Sequence, residues 1–176
     1  MKHIKKIRFM AKSCMAAGFA SMWMKPNLAT VFMLSLWTFS SWTTIAHHTC
    51  HGGYNKADKT RFFNSKGFAI GSLKKRVTQW FDWMLPEAWN VEHNNLHHYR
   101  LGEEDDPDLV ERNLHFVRTL PVPMFLKYGA VAFLMCTWKW FYYAPNTYKE
   151  LKIAERRRNG DIITEEMGPK EAFTLK

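Results

Sequence analysis

Seven of the eight histidines lie between positions 47 and 115, and six of these fall into two tight clusters. The first cluster is His47-His48-Thr49-Cys50-His51, and the second is His93-Asn94-Asn95-Leu96-His97-His98. On a helix, residues four apart point about 40° from one another, so His47 and His51 share a face. Two imidazoles placed in this way can grip one metal ion. His93 and His97 repeat the spacing, while His98 is turned by about 100° from His97, so one helix can address two ions. Burying several imidazoles without partners is costly, and a metal supplies the partners. Neutral imidazole suits iron, zinc and copper alike, so the spacing does not choose the metal. His48 can take the place of His47. His3 and His115 stand alone and read as structural or surface residues.

Carboxylates gather around the second cluster: Glu92, Glu103, Glu104, Asp105, Asp106 and Asp108. One or two can accept the second N–H of a ligand histidine and so fix its tautomer. Most of them read instead as a solvated turn begun by Asp106-Pro107. Asp108 is the candidate for the buttressing role, and Asn94 or Asn95 can orient a metal-bound water. Cys14, Cys50 and Cys136 are odd in number and far apart, which predicts reduced thiols and no disulfide framework. Cys50 sits among the histidines, but no CxxC pair supports a zinc site there.

The elements that must hold these clusters read as membrane elements. The chain of 176 residues is 47% hydrophobic and 15% aromatic, with the apolar residues in blocks separated by charged loops. Its net charge of +9 comes without a nucleic-acid motif. The basic residues flank the apolar blocks, as at Lys5, Lys6 and Arg8, Lys74 to Arg76 and Arg156 to Arg158, where lipid headgroups select them. A partner nucleic acid is therefore not expected. Residues 27–46 carry no charge, and at about 1.5 Å per residue they span about 30 Å, the thickness of a hydrocarbon core. Residues 121–143 form a second candidate span, with Lys127 and Lys139 able to snorkel and an aromatic belt from Trp138 to Tyr143.

Residues 13–24 are a shorter apolar block with three readings: one arm of a hairpin, a targeting segment, or a helix lying in the interface. Ala69, Leu73, Val77, Trp80, Phe81 and Met84 recur at helical spacing, which predicts an amphipathic helix over 68–85 resting on the bilayer surface. The expected fold class is therefore all-α and integral to the membrane. It has two to three transmembrane helices, an interfacial amphipathic helix and a histidine-rich cytosolic face. Residues 1–26 are a basic N-terminal segment with a short apolar helix, 27–143 the central domain, and 144–176 a polar tail read as a loop or a poorly ordered end.

A charge-free span running into HHTCHGG, then a surface helix, then WNVEHNNLHHYRLGEEDDPDL, resembles the membrane fatty-acid desaturases over roughly residues 27–143. That family shows an HxxxH or HxxxxH box, then HxxHH or HxxxHH, then a third HxxHH or QxxHH. His47 and His51 match the first box, and His93, His97 and His98 the second. Asp106-Pro107-Asp108 matches a frequent companion of the second box. The resemblance implies two histidine-held irons at the cytosolic membrane face that activate O2, introducing a C=C bond into an acyl chain. It implies electrons from a separate carrier, cytochrome b5 or ferredoxin, since no fused cytochrome b5 domain is found. It also implies an integral membrane protein of the endoplasmic reticulum, with a plastid or bacterial membrane as the alternatives.

The pattern also breaks. No histidine follows His115, so the third box is absent. Five box histidines, or six with His48, stand where the family uses eight. We therefore expect this chain to be inactive or nearly so by itself and to be part of a longer product. Histidine-box hydroxylases and monooxygenases are the nearest rival reading, and a non-catalytic membrane metal-binding fragment is the next. One span between a basic N-terminus and the boxes would put them on opposite membrane sides. That conflict disappears if residues 13–24 form the rising arm of a hairpin or if the chain's true beginning is missing.

Overall fold

In the computed structural model, residues 1–161 are described, and all of their regular structure is helical. The chain divides into two compact units, Met1–Asp82 and Trp83–Lys176.

The first unit is built on a helical hairpin. Helix α1 (Lys2–Ser21) runs back along helix α2 (Leu28–Cys50). Asn27 caps α2 by accepting from the Thr30 N–H at 2.9 Å, and the Thr30 hydroxyl donates to Ser21 at 2.8 Å across the turn. Gly18 lets the helices approach closely, since a Cβ there would lie 2.5 Å from Leu34 Cδ2. Higher up the hairpin, Phe19 meets Trp37 edge to face at 5.5 Å. The apolar arm expected over 13–24 is thus the second half of a longer helix, packed as a hairpin.

Helix α2 is long and apolar enough to cross a membrane, and among the described residues no other helix is. Several of its apolar side chains stay outside the packing, with Leu28, Val31, Phe32 and Phe39 exposed. Such a surface suits lipid and not water. Seven residues before the first histidine box, α2 widens into a π-helical stretch, Ser40–Ala46. His47 N–H there donates to Trp42 O, five residues back. Gly52, with φ +77°, ends the helix just past His51, and the N–H groups of Gly52 and Gly53 cap the carbonyls of Thr49 and His48.

The amphipathic helix expected over 68–85 is shorter in the structure. Helix α3 covers only 73–80. Ala69 at φ 62° and Phe81 at φ 43° are left-handed, which breaks the helix on both sides. The Ala69 turn is held by Gln79, whose Oε1 accepts the Ala69 N–H at 2.7 Å. The predicted apolar face is divided accordingly: Ala69, Trp80 and Met84 are buried, while Leu73 is 78% and Val77 50% exposed.

In the second unit, helix α4 covers 86–100 and helix α7 covers 124–159, with short helices α5 (Val110–Asn113) and α6 (His115–Thr119) between them. The expected span over 121–143 is helical from Met124, and no side chain of Met124–Trp138 is buried. The segment expected as a loose tail continues this helix without a break. Ala144–Asn159 is helical, packs against α4 and ends at left-handed Gly160. Ahead of Pro145 lies another π-helical stretch, Lys139–Tyr143. Proline has no N–H to continue the ladder, and the widened turn makes room for its ring. The rest of the expected tail, 162–176, lies outside the described residues.

Candidate metal centre

The first histidine cluster closes α2. His47 Nε2 and His51 Nε2 stand 3.0 Å apart. An imidazole nitrogen sits about 2.1 Å from a bound first-row metal, so two adjacent ligands are about 3.0 Å apart at a right angle and about 3.4 Å at the tetrahedral angle. The pair therefore already has the separation that one ion requires. His48 does not share this contact. Its Nδ1 donates to Thr44 O at 2.8 Å, so the lone pair of that ring lies on Nε2. Trp42 backs the His47 ring with centroids 6.2 Å apart. Cys50 is buried within the helix.

The second cluster is arranged differently from the plain α-helical expectation. Asn90–His97 is π-helical, and the His98 N–H donates to His93 O. In that wider turn, residues five apart come together. The contact between ligand atoms is therefore His93 Nε2 to His98 Nε2, at 3.2 Å, and not His93 to His97. His97 stacks its ring on His93 at 5.3 Å and turns its Nδ1 to Asp106 Oδ1 at 2.9 Å.

Asp106 is held firmly for this role. Its Oδ2 accepts the Gly102 N–H at 3.0 Å, and its Oδ1 also accepts the Asp108 N–H at 2.9 Å. Burial alone would raise its pKa, but these N–H donors and His97 outweigh it and hold the carboxyl below its ordinary value. The carboxylate that meets a histidine is thus Asp106, where the sequence reading favours Asp108. Asp108 stands behind it with one oxygen buried and unpartnered. Burial pushes the Asp108 carboxyl up to about 6, with the His97 charge opposing. Asn94 donates to Asn90 Oδ1 at 2.8 Å, a contact along its own helix.

Two further residues neighbour His93, one of them the Glu92 already noted from sequence. Tyr143, expected in an interfacial belt, is buried, and its hydroxyl lies 3.4 Å from His93 Nδ1. Glu92 is fully buried, and neither of its oxygens is in hydrogen-bonding geometry with a described donor. Burial pushes its carboxyl up to about 8; the Asp108 charge adds to this and the Tyr143 hydroxyl opposes it. Glu92 is visible in the sequence as a charge beside His93. Tyr143 is fifty residues away and gives no local signal.

Three box histidines thus direct Nδ1 to an oxygen: His48 to Thr44, His97 to Asp106 and His93 to Tyr143. Two pairs bring Nε2 atoms together. Histidine metal centres use donors in this arrangement, with the outer nitrogen buttressed and the inner one binding. The sequence model of the fatty acid desaturase family matches residues 21–166. The chain belongs to the fatty acid desaturase family. No curated protein and no solved structure matches it.

The first unit of this desaturase-family chain also holds an apolar cavity of about 330 Å³. Phe19, Trp37, Ile45, Phe63 and Trp80 line it, and Arg8 and Lys12 are its cations. The Arg8 guanidinium lies over the Phe62 ring at 4.3 Å.

Proposed function

We propose that this chain is a membrane acyl-lipid desaturase component whose histidines hold a pair of irons. His47, His51, His93, His97 and His98 are the ligands, with His48 as a sixth. What carries the reading is the common orientation of the imidazoles, with Nε2 paired and Nδ1 buttressed, in a chain of the desaturase family. Bound iron would supply the O2 activation that removes two hydrogens from neighbouring methylenes and leaves a C=C bond.

The chain's own residues prepare for that chemistry. Asp106 takes the Nδ1 proton of His97 and keeps its ring in the tautomer that binds through Nε2. Thr44 O does the same for His48. The apolar cavity lined by Phe19, Trp37, Ile45 and Trp80 is suited to an acyl chain, which it would shield from water. The box at the end of an apolar helix supports a membrane-face location, and we assign that face to the cytosol and the membrane to the endoplasmic reticulum. Electrons come from a separate cytochrome b5 or ferredoxin.

Five or six histidine ligands are too few to hold two irons tightly, so we propose that this chain alone binds iron without sustained turnover. The test is to purify the chain, measure its iron, and profile the lipids of a desaturase-deficient host expressing it. The expected result is histidine-dependent iron binding with no new unsaturated chains. Absence of iron binding overturns the di-iron assignment. New double bonds made by this chain overturn the inactivity, and hydroxylated products point to the monooxygenase chemistry of related histidine-box enzymes.

A further inference from the structure

A histidine that binds metal through Nε2 carries its proton on Nδ1, and that proton needs an acceptor. His97 has Asp106 for this purpose, and His48 has Thr44 O. At Nδ1 of His93 stands an oxygen of a different kind. The oxygen there is the Tyr143 hydroxyl, at 3.4 Å, the long end of the hydrogen-bond range.

A phenol can accept only if its own hydrogen points elsewhere. Glu92 supplies a reason for it to do so. This carboxyl group is fully buried beside Tyr143, with both oxygens lacking an aligned donor. A buried carboxyl in that condition offers an acceptor oxygen to the nearest hydroxyl hydrogen, and no water competes for it. Trp89, also fully buried, stacks on the His93 ring at 4.3 Å and 25° and sets its plane. Packing of Ala144–Asn159 against α4 brings Tyr143 to this position, and Asn146 secures it by donating to Pro107 O at 2.8 Å.

We propose that Tyr143 is a positioning residue for His93: its hydroxyl oxygen accepts the Nδ1 proton, Glu92 draws the phenol hydrogen away, and Nε2 becomes the ligand nitrogen. This rests on the metal-centre reading above. It adds a hydroxyl from a distant helix and a buried acid to the set that prepares the site. It also gives Glu92 a task that a buried, unpaired carboxyl otherwise lacks.

The test uses the full chain in detergent, labelled with 15N-histidine, and Zn(II) as a diamagnetic probe. Before metal is added, the wild-type His93 resonances should report the Nδ1–H tautomer. Tyr143→Phe keeps the ring but removes the oxygen, so it should shift His93 toward Nε2–H and weaken Zn(II) binding about tenfold or more. The His97 tautomer should not move. Glu92→Leu, which keeps the phenol but frees its hydrogen, should shift His93 in the same direction and serves if Tyr143→Phe fails to fold. Glu92→Gln, whose amide oxygen still accepts the phenol hydrogen, should restore most of the wild-type signature. An unchanged His93 tautomer in a folded Tyr143→Phe or Glu92→Leu chain overturns the inference. A wild-type chain that binds neither Zn(II) nor Fe(II) counts against the metal centre itself, so the two failures are distinguishable.

Discussion

His97 Nδ1 and Asp106 Oδ1 lie 2.9 Å apart, with the aspartate 3% exposed and the histidine 18%. The Gly102 N–H binds its other oxygen and the Asp108 N–H shares Oδ1 with the ring, so the carboxylate cannot follow the ring if the ring turns. The ring is therefore oriented by the loop after the second box as well as by its stacking on His93 of its own helix.

Asp106→Asn should reverse one of these contacts. Every group facing Asp106 is a donor, so an amide NH2 must confront either His97 or the Gly102 N–H. Iron or Zn(II) affinity should fall about tenfold to a hundredfold, and stability by about 1–3 kcal/mol. Metal titration with a competing chelator and thermal melts would measure the two effects separately. Unchanged affinity would remove Asp106 from the ligand-orienting set.

Nε2 pairing predicts which histidines act as units. His47→Ala and His51→Ala should each cost nearly the full affinity lost by the double variant, because in the proposed centre both grip the same ion. The pair His93 and His98 should show the same non-additivity. A cycle in which His93 couples more strongly to His97 than to His98 would contradict the observed geometry.

Asp58 anchors the loop after the first box. It accepts the Phe63 N–H at 2.6 Å, the Thr60 hydroxyl at 2.6 Å and the Thr60 N–H at 3.0 Å. The Phe63 N–H, followed by Thr60, holds its carboxyl below the ordinary value. A depressed folded-state pKa means that the stabilisation is complete above the unfolded value, about 3.9, and is lost as pH falls through the folded one. Asp58→Asn should lower the melting temperature at pH 7 and flatten the acid limb of the wild-type profile below about pH 4. Parallel profiles for the two proteins would show that Asp58 is not the titrating group.

Gly18 sets the spacing of the hairpin. Gly18→Leu should force α1 away from Leu34 and destabilise the unit by about 1–3 kcal/mol or more. Adding Leu34→Ala should recover part of the loss, since the Leu34 side chain is the nearest obstacle. Detergent-solubilised melts followed by tryptophan fluorescence would read both steps.

Much of this was legible from sequence because it is local. The charge-free run before HHTCHGG becomes α2, and the four-residue spacing of His47 and His51 gives a matched pair. What was not legible depends on distant partners or on backbone choices that periodicity does not encode. Ala69 and Phe81 take left-handed conformations that cut the amphipathic helix, although both residues sit on its apolar repeat. Tyr143 reaches His93 only because Ala144–Asn159 is ordered against α4, and a polar segment of mixed charge reads locally as a loop or a poorly ordered end. The choice of Asp106 over Asp108 turns on which of them the Gly102 N–H captures.

The π-helical stretch through Asn90–His97 has a consequence for length. In an α-helix, His93 and His98 would be about 140° apart, yet here their ligand atoms nearly touch. The stretch absorbs one residue between the first and last histidine without changing what the metal would meet. Excising Asn94 or Asn95 and letting the turn tighten to α-helical pitch would leave the outer histidines four apart and again on one face. HxxHH and HxxxHH are then two spellings of one clasp. An insertion at this point is silent to the coordination sphere and is carried entirely by the backbone.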